Sequence, residues 1–439
     1  VRRRFREGLS KAAGIGIIVI IIIAAVAGYL YMQSRQPGQT TTPTQTEASP
    51  TTTASPTTTT TTTTTTKPVK VLVLFDVGGR GDLSFNDMAW LGAERAKKEL
   101  GVEVQYQTPP STADMKPLLE QVSQSGEYDL IVLVGFLWTS VLNETADEYP
   151  NQKYALIDST TGVQRPNEVD ILFREQEVAA LIGVLASGIA EKLGGDKVAA
   201  LAGMDIPPLW KFHIGYLFGI QYWNKKTNSN IQLLWVYTGT FTDPNVGKEQ
   251  TLQLLQQGAK VVYGLAGLTH LGAFDAVKEW AQQHNETVFA IGQDASQEWI
   301  DPYHIILSGA KRVDVAVYTA IKMVVENKWR SGIITLGIKE GGVGIWDLDG
   351  VREFAQLAAE QGKLPKGMTP DDVVNIVQQM RKKYIPQEAW DLANQLEQML
   401  KNGEISFKTP LSHDKYDSII SALQNGDLNA ALASGQVDP

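Results

Sequence analysis

Cysteine is absent from the 439 residues. That excludes disulfides, thiolate chemistry and a lipid-modified cysteine within them, so any hold on a membrane must come from the chain itself. Histidine is scarce: His213, His270, His284, His304 and His413 lie scattered, without HExxH or similar spacing, and no metal site is expected. There is no long basic run, and the net charge of −9 argues against a nucleic-acid partner, whose phosphates demand clustered Lys and Arg. Nucleotide and nucleophile signatures are missing as well. The glycines of Gly78 to Gly81 have the wrong spacing for GxGxxG, Gly247-Lys248 runs into Glu249 instead of Ser or Thr, and no GxSxG occurs. No cofactor and no catalytic residue is expected; the enzymatic alternative is a surface hydrolase using a pair among Asp76, Asp82, Asp158 and Asp294.

What is present divides the chain sharply. Residues 1–35 hold Arg2, Arg3, Arg4, Arg6 and Lys11, then an uncharged stretch from Ala12 to Met32. At helical rise that stretch covers about 30 Å, the thickness of a hydrocarbon core. The basic flank keeps the N-terminus in the cytoplasm and places everything after Met32 outside, a single N-terminal span in the cell membrane. The competing reading is a cleaved signal peptide, with Ala25-Val26-Ala27 before Gly28 as the cleavage site. Residues 36–66 are mostly Thr with Pro37, Pro43, Pro50 and Pro56. With nothing to build a core, they read as a disordered tether suited to O-glycosylation. Asn143-Glu144-Thr145 and Asn285-Glu286-Thr287 spell N-glycosylation acceptors.

From Val69 on, short apolar runs alternate with helical periodicity, the pattern of doubly wound α/β lobes. The chain is 43% apolar and 20% charged and long enough for two cores. The run Val69 to Phe75 has the length and branching of a central parallel strand. It ends on Asp76, followed by Gly78, Gly79 and Gly81 and then a helix start. In open α/β sheets solutes dock outside the carboxyl ends of the strands. Strand ends carry polar or aromatic groups at Asp158, Asp205, Phe241, Gly267, Asp294 and Lys311, spread over two successive halves. Two such rims predict a cleft. Residues 67–173 form the first lobe, completed by about 310–346; residues 174–309 form the second; 347–439 is a helical extension with amphipathic helices over 351–359, 371–383 and 387–401.

Five short stretches, in order, resemble the BMP (basic membrane protein) family of ABC-transporter substrate-binding proteins, which includes purine nucleoside receptors. They are Asp76-Val77-Gly78-Gly79 with Asp82 to Asn86, Phe173 to Glu177, Gly203 to Pro207, Gly292-Gln293-Asp294 and Ser308 to Arg312. The resemblance implies a type I periplasmic-binding-protein fold, two lobes with a hinge and an interlobe cleft, passing a nucleoside-like ligand to ABC permease subunits. It implies that Phe85 and Phe241 stack on a base from opposite lobes. Asp294 takes ribose hydroxyls, Lys311 lies near the ribose, Asp76 stands at the first strand end, and Gly267 is where backbone meets ligand. Asn86 is the base-edge partner. Trp138 stands near where relatives carry an acid for the base, and offers a further stacking face. A sugar or another small polar metabolite is the alternative ligand. Relatives are commonly lipoproteins, which a chain without cysteine cannot match; Lys11 to Gly14 before the Ile-rich run resembles a pilin-type signal instead. The extension exceeds the family's usual end, and either packs against a lobe or contacts the permease.

Overall fold

The computed structural model describes residues 67–437. The expected span over 12–32 and the Thr-rich tether lie outside the described residues. Among those described, no helix is long and apolar enough to cross a membrane.

In the first half, β1 (Lys70–Leu74), β2 (Glu103–Gln107), β3 (Leu130–Val134), β4 (Tyr154–Ile157) and β5 (Glu168–Phe173) alternate with α1 (Phe85–Leu100), α2 (Met115–Ser125) and α3 (Thr139–Thr145). The apolar runs of β1, β3 and β4 lie almost wholly out of solvent, as parallel strands covered on both faces must. The second half repeats the plan. It holds α4 (Glu175–Lys192), β6 (Lys197–Ala202), α5 (Pro207–Thr227), β7 (Gln232–Tyr237), α6 (Pro244–Gln256), β8 (Val261–Leu265), α7 (Thr269–His284), β9 (Phe289–Asp294) and β10 (Ile305–Lys311).

The chain then re-enters the first lobe. Helix α8 (Val313–Val325) packs on α1, with Tyr318 donating to Glu99, and β11 (Gly332–Leu336) pairs in parallel with β5. After that, β12 (Val343–Ile345) pairs antiparallel with β10. The sheets therefore read β2-β1-β3-β4-β5-β11 and β7-β6-β8-β9-β10-β12, the same order twice. Each order reverses between its first-born strand and its neighbours, β1 beside β3 and β6 beside β8, so both crevices open at matching positions. The return to the first lobe is shorter than the expected 310–346: it leaves the first sheet at Leu336. Hydrogen bonds at the crossing explain why, since Glu177 accepts from the Ile338 N–H and Leu336 O accepts from Arg174, turning the chain back toward the second sheet. Three segments thus cross between lobes, after β5, after β10 and after β11.

The extension carries α9 (Leu348–Glu360), α10 (Pro370–Tyr384), α11 (Gln387–Asn402) and α12 (His413–Gln424), with a two-stranded sheet of β13 (Ser406–Phe407) and β14 (Leu432–Ser434). Helix α12 and this sheet had no counterpart among the expected elements. Helix α10 starts from a capping box, with Thr369 and Asp372 each satisfying the other's backbone N–H. In α11 the buried stripe Ala389, Ala393, Leu396, Leu400 faces α4, and Ala389 approaches Gly188. Helix α12 lies on α5, where Tyr416 meets His213. The extension packs against the second lobe through these faces.

Candidate functional site

Everything that matters chemically projects from the carboxyl ends of the strands. After β1, Asp76 accepts from the Gly78 N–H at 2.9 Å and from Asn86 Nδ2 at 3.0 Å. Removal from water pushes its carboxyl up, against those two donors. The buried Asp82 carboxylate then accepts the backbone N–H groups of Ser84, Asn86 and Asp87 at 2.8–3.1 Å, holding the orphan donors at the start of α1. That cap aims the first helical residues, Phe85 and Asn86, into the cleft. Phe85 is half-buried and lines it. Asn86 is buried, with Nδ2 committed to Asp76 and Oδ1 left without a partner.

After β3, Gly135 at φ 104° lets the chain pass beneath Asp76 and Phe85, and Phe136 and Leu137 line the cavity. Trp138 does not. The expectation that it adds a stacking face is corrected here: it is wholly buried on the far side of the first sheet among Leu72, Leu133, Leu142 and Leu156. The tight turn Phe136–Trp138 rotates successive side chains by about 120°, so two neighbours in the cleft send the third into the core.

After β4 comes Asp158, a site residue that the expected ligand set omitted. It sits at φ 70°, in the left-handed region that costs a non-glycine residue roughly 1–3 kcal/mol. Its counterpart in the second lobe, Asp294 at the end of β9, has φ 72°. Both line the cavity. Asp158 Oδ2 accepts from Lys311 Nζ at 2.6 Å, while Oδ1 has no partner. The only signal in the sequence was an acid following a buried strand.

From the second lobe, Phe241 lies over Gly203, where any Cβ would run into the ring; glycine there makes the seat. Gly267, at φ 54°, brings its backbone beside Phe241. Ile206, from the Gly203 to Pro207 stretch, and Pro208, Leu209, Phe212 and Leu265, which no motif announced, supply an apolar floor. His270 also borders the cavity, but Gln297 and the Ala266 N–H occupy its ring nitrogens, and burial pulls it down to about 4. Among the described residues, no group of acids and histidines could hold a metal.

The two rims touch. Ser84 Oγ donates to Asp294 Oδ2 at 2.6 Å and lies 3.0 Å from the Gln293 carbonyl, and Gln297 Nε2 donates to Leu83 O at 3.0 Å. Lys311, at the end of β10, reaches Asp158 and, at 2.9 Å, Glu175 Oε1. Lys211 pairs with the other Glu175 oxygen at 2.5 Å. All four groups are buried, so two ammonium groups face two carboxylates. Burial pushes Asp158 up, and it works against Glu175 too, but Lys211 and Lys311 hold Glu175 down. Burial works against the Lys311 ammonium; Asp158, Glu175 and Asp294 outweigh it and push its pKa up. The same ammonium stands 5.2 Å from the Phe85 ring centre. Burial also raises Asp294, opposed chiefly by Lys311.

Asp76, Phe85, Asn86, Phe241, Gly267, Asp294 and Lys311 thus come to one cavity from opposite sheets, and Trp138 does not. Its atom-free space is ≈ 720 Å³ with the open mouth included. With an aromatic ring from each lobe and unpartnered acceptors in its lining, the cavity can take a small molecule that carries hydrogen-bond donors.

Comparison with known proteins bears on the family and the fold. The sequence model of a family described as Bmp, ABC transporter substrate-binding protein PnrA-like, matches residues 69–377. An uncharacterised lipoprotein of Pyrococcus horikoshii is 68% identical over 372 residues, covering 85% of this chain and 92% of that protein. Basic membrane protein D of Borreliella burgdorferi is 30% identical over 280 residues, 63% of this chain and 78% of that one. Among solved structures, an ABC transporter solute-binding protein from Aeropyrum pernix is 57% identical with a TM-score of 0.82, covering 83% of this chain and 100% of that one.

Proposed function

The chain belongs to the PnrA-like Bmp family of ABC transporter substrate-binding proteins, and from that premise we propose that it captures a nucleoside, purines foremost, and delivers it to a membrane permease. One observation carries the reading: Phe85 from the first lobe and Phe241 from the second line a single cavity whose buried acceptors, Asn86 Oδ1 and Asp158 Oδ1, lack partners. A base between the rings gains stacking on both faces. Its ring or exocyclic N–H groups fill acceptors that are costly to leave unmet. Asp294 and Lys311 take the sugar hydroxyls as acceptor and donor. Lys211 and Lys311 face three nearby carboxylates, Asp158, Glu175 and Asp294, which disfavours an anionic guest.

Hinge closure supplies the transport logic. Solute bound between the rims stabilises the shut form, and the shut form is the one a permease can distinguish from the empty, open one. We place this domain outside the cytoplasm, held by the apolar segment over 12–32 and the Thr-rich tether.

Calorimetric titration of the soluble fragment from Lys67 with adenosine, guanosine, inosine and cytidine, and in parallel with ribose, arabinose and glucose, tests the assignment. Saturable heat with purine nucleosides supports it. Saturation by a free sugar with none by any nucleoside overturns it in favour of sugar transport.

A further inference from the structure

Solute binding uses neither Asn-Glu-Thr triplet, and the fold treats the two differently. Asn143 lies within α3, where Arg165 Nη2 donates to its Oδ1 at 2.9 Å and to its carbonyl at 3.2 Å. Two residues on, the Thr145 hydroxyl is completely buried and has no partner. A transferase that must read both the amide and the hydroxyl finds the amide bonded and the hydroxyl out of reach.

Asn285 is placed the other way. It ends α7 at φ 50°, exposed, with its backbone N–H bonded to Ala281 O. The middle residue turns inward: Glu286 pairs with Lys260 and accepts from Trp280 Nε1 at 2.8 Å. Anchoring Glu286 leaves its neighbours Asn285 and Thr287 both exposed. Strand β9 begins at Phe289, so this turn lies at the amino ends of the second sheet's strands, away from the cleft at their carboxyl ends. A bulky group there obstructs neither solute entry nor closure.

We propose that Asn285 is an acceptor for an N-linked oligosaccharide and that Asn143 is not. The donor is an isoprenoid-phosphate-linked oligosaccharide. Asn285 Nδ2 forms a C–N bond to the anomeric carbon as its C–O bond to phosphate breaks; the lipid phosphate leaves with that electron pair, and a transferase carboxylate takes the amide proton. The inference rests on the outward placement proposed above.

The test is peptide mass spectrometry on the full chain purified from membranes of the cells that make it. Labelling of intact cells with a membrane-impermeant amine reagent reports orientation separately. The expected result is a mass increase of whole sugar residues on the Asn285 peptide, lost completely in Asn285→Gln and in Thr287→Val, with the Asn143 peptide at its encoded mass. Nucleoside affinity stays unchanged in Asn285→Gln. An unmodified Asn285 peptide from chain that labels from outside overturns the proposal alone, as does a glycan on Asn143. Chain that does not label overturns the outward placement, and the proposal with it.

Discussion

Lys311 Nζ stands 2.6 Å from Asp158 Oδ2, joining the end of a strand in one sheet to the end of a strand in the other. Both residues are under one-tenth exposed. The pair spans the seam between the two lobes, so it belongs to the seam as much as to the site. It resembles a latch whose free oxygen, Asp158 Oδ1, is left for the guest.

Removing the cation should therefore cost folding as well as binding. Lys311→Met leaves Asp158 and Glu175 buried without one of their two counter-charges, and we expect a loss of about 3–5 kcal/mol in unfolding free energy, read from urea titration. Adding Asp158→Asn to that variant should restore a measurable part. No recovery in the double variant would show that the pair is not the source of the loss.

Asp294→Ala should abolish nucleoside binding, because both its oxygens face cleft or seam donors. Ser84→Ala is milder. It removes a seam hydrogen bond to an ionisable group, worth about 1.5–3 kcal/mol, and small-angle scattering of the ligand-free protein should show a larger radius as closed molecules open.

Phe241→Ala should weaken nucleoside binding by roughly 1–3 kcal/mol if a base stacks there, with Phe85→Ala similar. Calorimetry on each variant measures this directly, and affinities equal to the parent would remove the stacked-base assignment.

Burial, reinforced by the charge of Asp87, pushes the Asp82 carboxyl up to about 7 from an ordinary 3.8. Between those values the folded chain keeps a proton there that the unfolded chain has lost. Stability from this group is therefore complete below about pH 4 and falls as pH rises to about 7, then stays level. Asp82→Asn should flatten that slope in melts taken from pH 4 to 8. An unaltered slope would place the titration elsewhere.

Arg381 on α10 donates to Glu298 at 2.6 Å and to the Ile306 carbonyl at 3.0 Å, with Glu298 fully buried. It lies past the end of the family match. Arg381→Met should cost about 3–5 kcal/mol by stranding the Glu298 charge. Glu298 sits four residues from Asp294, so nucleoside affinity should fall along with stability. A variant as stable as the parent would show the extension to be dispensable.

The sequence by itself determined the alternation of buried runs and amphipathic helices, and with it two α/β halves whose strand ends carry the polar groups. That information is local: a parallel strand covered on both faces must be apolar along its buried run, and the residues at its carboxyl end are free to be acids, as at Asp76 and Asp294. The same locality fails at Trp138, since an aromatic after a strand reads alike whether its turn sends it into the cleft or the core.

Only the tertiary structure decided which strand-end acids meet. Asp158 and Lys311 are far apart in the chain, and their contact exists because the sheets repeat one strand order and face each other across three crossings. It also decided that the extension packs on the second lobe, because an amphipathic stripe such as Ala389 to Leu400 specifies that something apolar covers it, but not what. Such pairings depend on where whole elements dock, and no run of neighbouring residues encodes that.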